Sequence, residues 1–409
     1  MPDQPSTENW LAKAAYCLTF ASAVSILFSI AVSQILLGLS VAALLLAGVR
    51  LRFPPIKLPL GLFMLGTVIS LAFSADPMAG RPQIRKFFVF LILLVMSSTF
   101  TRIEDLRRLA MAWFGVAAIA GALSLFQFWQ KLEAARRLGR GFYDYYVAER
   151  ITGFMGHWMT FGGLEMIVLL MLAAFLLFAP PARRWTWLWL GCAALISAGL
   201  VLGFTRSIWI ATAVAGLYLL WCWKKWLVVV APLVTLAGIW ILSGPLKERA
   251  VSVLEPKVRV DSNQHRIVTW RTGWEMIKAH PWLGVGPEHV KLHFDEYVPR
   301  DIPRPLPEGW YGHLHNIYLH YAAERGIPTM LALMWMLGKI LWDFLRALRG
   351  LPPGASDARF LLHGGVAVMI AILVAGFFEL NLGDSEVLFM FLTVVAAGYT
   401  AAGTTLKQP

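Results

Sequence analysis

Four residues in this sequence can handle anions and hydroxyl protons if the fold brings them together: Arg150, Arg206, Arg266 and His315. Each stands where a polar segment meets an apolar run. His315 lies in GHLHNIYLHYAAERGIPT, residues 312–329, and with Asn316 opens a predicted helix that Gly326 closes just before the next hydrophobic run. A helix N-terminus disfavours added positive charge, so an imidazole there stays neutral near pH 7 and can act as a general base. A histidine that merely hydrogen-bonds at a helix start fits the same sequence. His320, five positions on, points about 140° away and reads as structural. His313 is close enough to compete.

The arginines also read two ways. Arg206, in GFTRSIWIA, fits an interfacial side chain that snorkels to water or a cation facing a cavity. Arg266, in QHRIVTWRTGW, and Arg150, in VAERITGFMGHW, each fit a solvated loop arginine. Taken together, three arginines at junctions on one side suggest a clamp. Guanidinium is always charged and binds phosphate oxygens bidentately, so such a clamp could hold a diphosphate leaving group.

The elements that position them are membrane helices. Hydrophobic residues make up 58% of the 409 positions and charged residues only 15%, with mean hydropathy +0.63. A soluble domain carries about 25% charged residues. Apolar runs long enough to cross a bilayer fall near 12–29, 32–49, 58–75, 86–100, 109–129, 159–179, 185–203, 206–223, 226–243, 326–345, 359–378 and 385–402. The expectation is an all-α polytopic membrane protein with about 12 transmembrane helices. The short linker between the first two runs leaves eleven open, one of them being re-entrant. The polar start, MPDQPSTENWLAK, precedes an apolar run too long for a signal h-region, so no cleavable signal peptide is expected.

Short basic loops set the orientation: Arg50, Arg52 and Lys57; Arg102, Arg107 and Arg108; Arg183 and Arg184; Lys224 and Lys225; Arg346 and Arg349. All fall on one side if both termini are cytoplasmic. The chain then divides into an N-terminal bundle over 1–243, a long translocated loop over 244–314, and a C-terminal transmembrane region over 315–409. Segments 130–158 and 244–314, both on the far side, are basic as well. The positive-inside rule does not govern long loops, so an anionic substrate or contact with anionic headgroups must account for that charge. The net charge of +12 reads either as the cytoplasmic Lys/Arg excess that orients membrane proteins or as the mark of an anionic ligand such as a phosphorylated lipid.

Within the long loop, Ile267, Trp270, Trp274 and Ile277 recur at steps of three and four, predicting one apolar helix stripe lying along the membrane surface. His280-Pro281 breaks that helix, and Gly284-Val285-Gly286-Pro287 makes a turn. Cys17, Cys192 and Cys222 are far apart in apolar runs and read as packing residues. There is no DxD, no Walker A motif and no HExxH, and Asp261, Glu275, Glu288, Asp295 and Glu296 lack ligand spacing. No metal, cofactor or nucleic acid is expected. Glu379 and Asp384, flanking the last short outer loop, could approach the site, but no spacing rule places them there.

His315-Asn316 with Gly326 returning into a span, the stretch from Trp270 to Gly286 ending MIKAHPWLGVGP, and Arg206 followed by Trp209 together resemble the O-antigen ligase family, within the larger group of ligases and Wzy-type polymerases. These motifs cover about a tenth of the chain. The family pattern often has a second glycine three residues after the first, where this sequence has Thr329.

The resemblance implies a GT-C-like membrane glycosyltransferase in a bacterial inner membrane, working on the periplasmic side without metal or nucleotide sugar. Its donor would be a glycan on undecaprenyl diphosphate and its acceptor a sugar of the lipid A core. In a polymerase the acceptor would be another lipid-linked glycan; in a protein O-oligosaccharyltransferase, a protein side chain. His315 matches the family's essential histidine and Arg206 and Arg266 its paired arginines; Arg150 is a weaker match. Base and clamp on opposite sides of the anomeric carbon imply inversion. Losing one phosphate-binding arginine would cost about 2.7–4 kcal/mol if it resembles loss of an oxyanion donor. A lipid-linked glycan transporter is the reading from a different class, but the inverted repeats and broken helices of such proteins are not evident.

Overall fold

The computed structural model describes residues 7–241, 244, 249 and 262–405. The boundary expected at 243–244, Asp261 and most of the first part of the long loop lie outside them. Every regular element described is helical: α1 (Thr7–Ser25), α2 (Ile30–Leu46), α3 (Lys57–Ala72), α4 (Arg81–Arg85), a 3₁₀ stretch Lys86–Phe90, α5 (Leu91–Thr99), α6 (Ile103–Arg137), α7 (Phe142–Ala148), α8 (Trp158–Phe178), α9 (Arg183–Leu202), α10 (Arg206–Trp223), α11 (Leu227–Ile241), α12 (Ser262–Ala279), α13 (Val290–Tyr297), α14 (Ile317–Arg349), α15 (Ser356–Ala375), a 3₁₀ turn Asn381–Gly383, and α16 (Ser385–Thr405).

Seven of these stretches are long and apolar enough to cross a membrane, and Ile30–Leu46, Lys57–Ala72 and Leu227–Gly238 are shorter apolar helices. This is a polytopic membrane protein. α8 and α15 form its centre, packed on each other and on α10 and α16. Both bury about two thirds of their residues, 14 of 21 in α8 and 13 of 20 in α15. α9 and α10 instead show apolar faces with Trp187, Leu188 and Val214 exposed, as lipid-facing helices should.

Two boundaries differ from the sequence reading. The run at 109–129 continues helically to Arg137, so the first part of segment 130–158 is helix and not loop. Good helix formers at Lys131, Leu132, Glu133, Ala134 and Ala135, and an ion pair from Arg137 Nε to Glu133 Oε1 at 3.1 Å, carry α6 past the apolar run. The second difference is the stripe on α12. Ile267 (56% exposed) and Trp274 (55%) face outward, but Ile277 is buried together with Val268 and Met276. Ten positions span about 1000°, which leaves Ile277 some 80° off the face of Ile267. The single stripe is therefore split, and α12 lays its other face, with Thr269 and Thr272 buried, against α14.

The expected break at Gly326 is present. Gly326 has φ 80° and ψ 160° inside α14, which divides it into a short segment before the kink and a long helix after it. The Pro281–Gly286 turn locks onto that kink. Val285 N donates to Ala323 O (2.8 Å), Gly286 N to Glu324 O (2.9 Å), and Ile327 N to Pro281 O (2.8 Å). The carbonyls stranded by the break thus find partners in the glycine turn. A Cβ on Gly326 would lie 2.0 Å from Trp282 O, and one on Gly284 2.2 Å from the Glu324 carbonyl carbon. Only glycine fits either place.

Candidate functional site

His315 sits one residue before the N-cap of α14. Asn316 is that cap: its Oδ1 accepts from Tyr318 N and Leu319 N, each at 3.0 Å. The His315 backbone has φ 47°, a left-handed conformation that costs energy in a non-glycine residue unless its surroundings impose it. Here they do. His315 N donates to His313 Nδ1 (3.1 Å), the preceding Leu314 is fully buried, and Asn316 is fixed by its cap.

The segment following α15 closes over this helix start. Three successive carbonyls in it are held from His315's side: Gly376 O by Ile317 N (2.8 Å), Phe377 O by Asn316 Nδ2 (3.2 Å) and Phe378 O by Arg266 Nε (3.2 Å). The next residue, Glu379, is delivered between the two functional groups. Its Oε2 lies 3.3 Å from His315 Nδ1 and its Oε1 accepts from Arg266 Nη2 at 2.6 Å. The Glu379 side chain is 8% exposed and that of His315 22%. A row Arg266–Glu379–His315 results, built from α12, the α15–α16 segment and the start of α14.

Two more imidazoles pack on His315: His313 with ring centroids 4.0 Å apart, and His265 at 5.1 Å. Burial, reinforced by the neighbouring His315, pushes His313 down to about 2 and His265 down to about 4. Both are neutral at physiological pH, so neither competes as a titrating base there. His313 serves as a hydrogen-bond acceptor, a role its neutral Nδ1 allows. His320 is buried beside Glu324, with Nε2 to Oε1 at 3.4 Å, and belongs to the interior of α14.

Arg150 approaches from the loop before α8. Its Nε donates to Val147 O (3.1 Å) and its guanidinium lies 5.1 Å over the Trp158 ring. Burial, with the like charge of Arg249 next, pushes it down to about 9, while Glu379 acts in the opposite sense. It remains a cation, desolvated and within the field of Glu379. Arg249 donates from Nε to Phe204 O (3.0 Å) and is itself buried. Arg206 opens α10 two residues after Phe204, which turns tightly with φ 50° between α9 and α10.

The structure therefore brings His315, Asn316 and Arg266 together and sets Arg150 within the electrostatic field of Glu379. Arg206 stands at the α9–α10 turn beside the Arg249 contact. Sequence reading missed Arg249, which lies in a segment without pattern, and had no means of pairing Glu379 with His315 across 64 positions. Among the described residues no three His, Cys, Asp or Glu side chains converge as a metal site.

Two small apolar cores flank this end. One, with Val268, Met276, Phe294 and Leu314, supports α12 and His315. The other, with Tyr146, Ile151, Phe161 and Phe204, supports Arg150 and the α9–α10 turn.

Residues 191–334 match the family model described as O-antigen ligase (Wzy_C). The matched stretch contains Arg206, Arg249, Arg266, His315, Asn316 and Gly326; Arg150 and Glu379 lie outside it. A comparison with curated proteins finds no match. The resemblance read from the His315 segment therefore holds over those 144 residues.

Proposed function

We propose that this protein is an O-antigen ligase: it transfers a glycan from undecaprenyl diphosphate to a sugar hydroxyl of the lipid A core, at the periplasmic face of a bacterial inner membrane. The observation that supports this best is the Arg266–Glu379–His315 row on a stretch matching the ligase family. In this reading the seven long apolar helices and the three shorter ones cross the membrane together with α1 and the part of α14 after Gly326, which would make twelve spans. In this reading the fold is GT-C-like, both termini are cytoplasmic, and the His315 end faces the periplasm.

His315 takes the proton of the acceptor hydroxyl as its oxygen attacks the anomeric carbon. Arg206, Arg266 and Arg150 stabilise the charge that gathers on the departing diphosphate, which makes a metal unnecessary to the chemistry. A polyprenyl diphosphate leaves readily, so orientation of two substrates and electrostatic support supply most of the catalysis. Attack opposite the leaving group inverts the anomeric centre. Asn316 and Gly326 act by holding the segment that carries His315.

Reconstitution with an undecaprenyl-diphosphate glycan and lipid A core tests the reading. Glycan attached to the core supports it; elongated undecaprenyl-linked glycan with the core untouched identifies a polymerase instead.

A further inference from the structure

Resting on that reading, we propose that Glu379 is a positioning residue that selects which nitrogen of His315 acts as the base and couples this base to the donor-binding Arg266. An ionised carboxylate has acceptors only, so a hydrogen bond between Glu379 Oε2 and His315 Nδ1 requires the proton to sit on Nδ1. Nε2 then carries the lone pair. Without this contact the imidazole divides between tautomers and rotates about its bonds.

Charge explains the coupling. A carboxylate with its side chain 8% exposed needs a counter-cation, and in the resting site Arg266 supplies it at 2.6 Å. A donor diphosphate arriving at Arg266 brings its own negative charge and competes for that guanidinium. The negative charge of Glu379 is then less neutralised and acts more strongly on His315, which is about to become a cation. Donor binding thus prepares the base.

The step balances. The acceptor O–H bond breaks and its proton goes to His315 Nε2. The new C–O bond forms at the anomeric carbon, and the C–O bond to diphosphate breaks with its electron pair leaving on the phosphate oxygen. The imidazolium, held against Glu379, later returns its proton to water.

The groups facing His315 are few. Glu379 comes from the α15–α16 segment; His313 lies two residues before it; His265 and Arg266 come from α12. His320 and His157 face His313, and Arg150 faces Glu379. His313 and His265 are already neutral at pH 5–8, so neither shapes the acidic limb of a pH–rate profile there. Removing the negative charge disfavours the imidazolium, which moves that limb to lower pH.

The test is single-turnover transfer by full-length protein, with undecaprenyl-diphosphate glycan and lipid A core, across pH 5–9. Glu379→Gln, Glu379→Asp and His315→Ala are compared with wild type. We expect Glu379→Gln to lose about 10²-fold in rate, with its acidic limb at lower pH and both KM values within about threefold. Glu379→Asp keeps the charge, so its limb stays in place and part of the rate returns. A wild-type rate and limb in Glu379→Gln, with His315→Ala inactive, overturns the role of Glu379 and leaves the ligase reading standing. Full activity in folded His315→Ala overturns the reading itself. Should Glu379→Gln not fold, Glu379→Asp decides: a shifted limb in this charge-retaining variant contradicts the proposal.

Discussion

The two ends of the bundle handle charge in opposite ways. At the end where α14 finishes and α6 and α15 begin, a cavity of about 1330 Å³ is lined by Arg52, Arg102, Glu104, Lys339, Asp343, Arg346 and Asp357 among others. Its ion pairs are partly exposed: Arg102–Glu104 at 3.6 Å, Lys339–Asp343 at 2.8 Å, and Arg107–Asp357 at 2.9 Å. The 20 residues of α15 separate this end from His315 by about 30 Å. Around His315 the paired charges are more deeply buried, with Arg266 18% and Glu379 8% exposed. Arg266 meets Glu379 across 113 positions, and Gln83, Glu288, Glu324 and Arg325 form a second interior network there.

Strain divides in the same way. Among the described residues, the non-glycine residues with positive φ are Phe204, Glu288 and His315, all at that end. Among the described residues, most buried side-chain polar atoms without a hydrogen-bond partner are there too: His265 Nε2, Trp270 Nε1, Thr272 Oγ1, His320 Nδ1, Glu324 Oε2 and Arg325 Nε, against Ser97 Oγ at the other end and Glu165 Oε2 and Ser207 Oγ elsewhere. Such features destabilise a fold and persist where the surroundings over-determine them. The contrast identifies the end that holds costly groups in place, as a catalytic site must. The other end looks like an ordinary solvated membrane face.

Breaking the His315 end should therefore be far more damaging than breaking the other. The largest effect is expected from His315→Ala, with a loss of about 10²–10⁴-fold in transfer rate at unchanged thermal stability, measured by single-turnover transfer and a melting curve. Arg266→Ala follows, at about 10²–10³-fold. Arg266→Lys should recover little of this, since an ammonium cannot reproduce the fork shared between Glu379 and Phe378 O.

Gly326→Ala acts through structure. It forces a Cβ against Trp282 O at a positive-φ position and should cost at least about 1–3 kcal/mol, read as a lower melting temperature. The smallest effect belongs to the opposite end. Arg102→Ala, which breaks an exposed pair with Glu104, should change stability by less than about 1 kcal/mol and leave transfer unchanged. A large loss of transfer in that variant would erase the distinction between the ends.

Local features were legible in the sequence. The helix break at His280-Pro281, the glycine turn, the kink at Gly326 and the helix start at Asn316 all follow from what neighbouring residues permit, and all are present. Apolar runs located the helices for the same reason. What escaped was set by tertiary packing. The end of α6 depends on helix formers beyond its apolar run, and the facing of Ile277 on the drift of a long helix against α14. Glu379 showed its place only once three carbonyls before it were seen tied to Ile317, Asn316 and Arg266. The role of His313 was equally hidden, because its neutrality arises chiefly from burial.

The most direct test of the central claim is glycan transfer from undecaprenyl diphosphate to lipid A core by purified wild-type protein and by folded His315→Ala. The account predicts core-linked glycan with the first and about 10²–10⁴-fold slower formation with the second. Equal rates from the two proteins would contradict it.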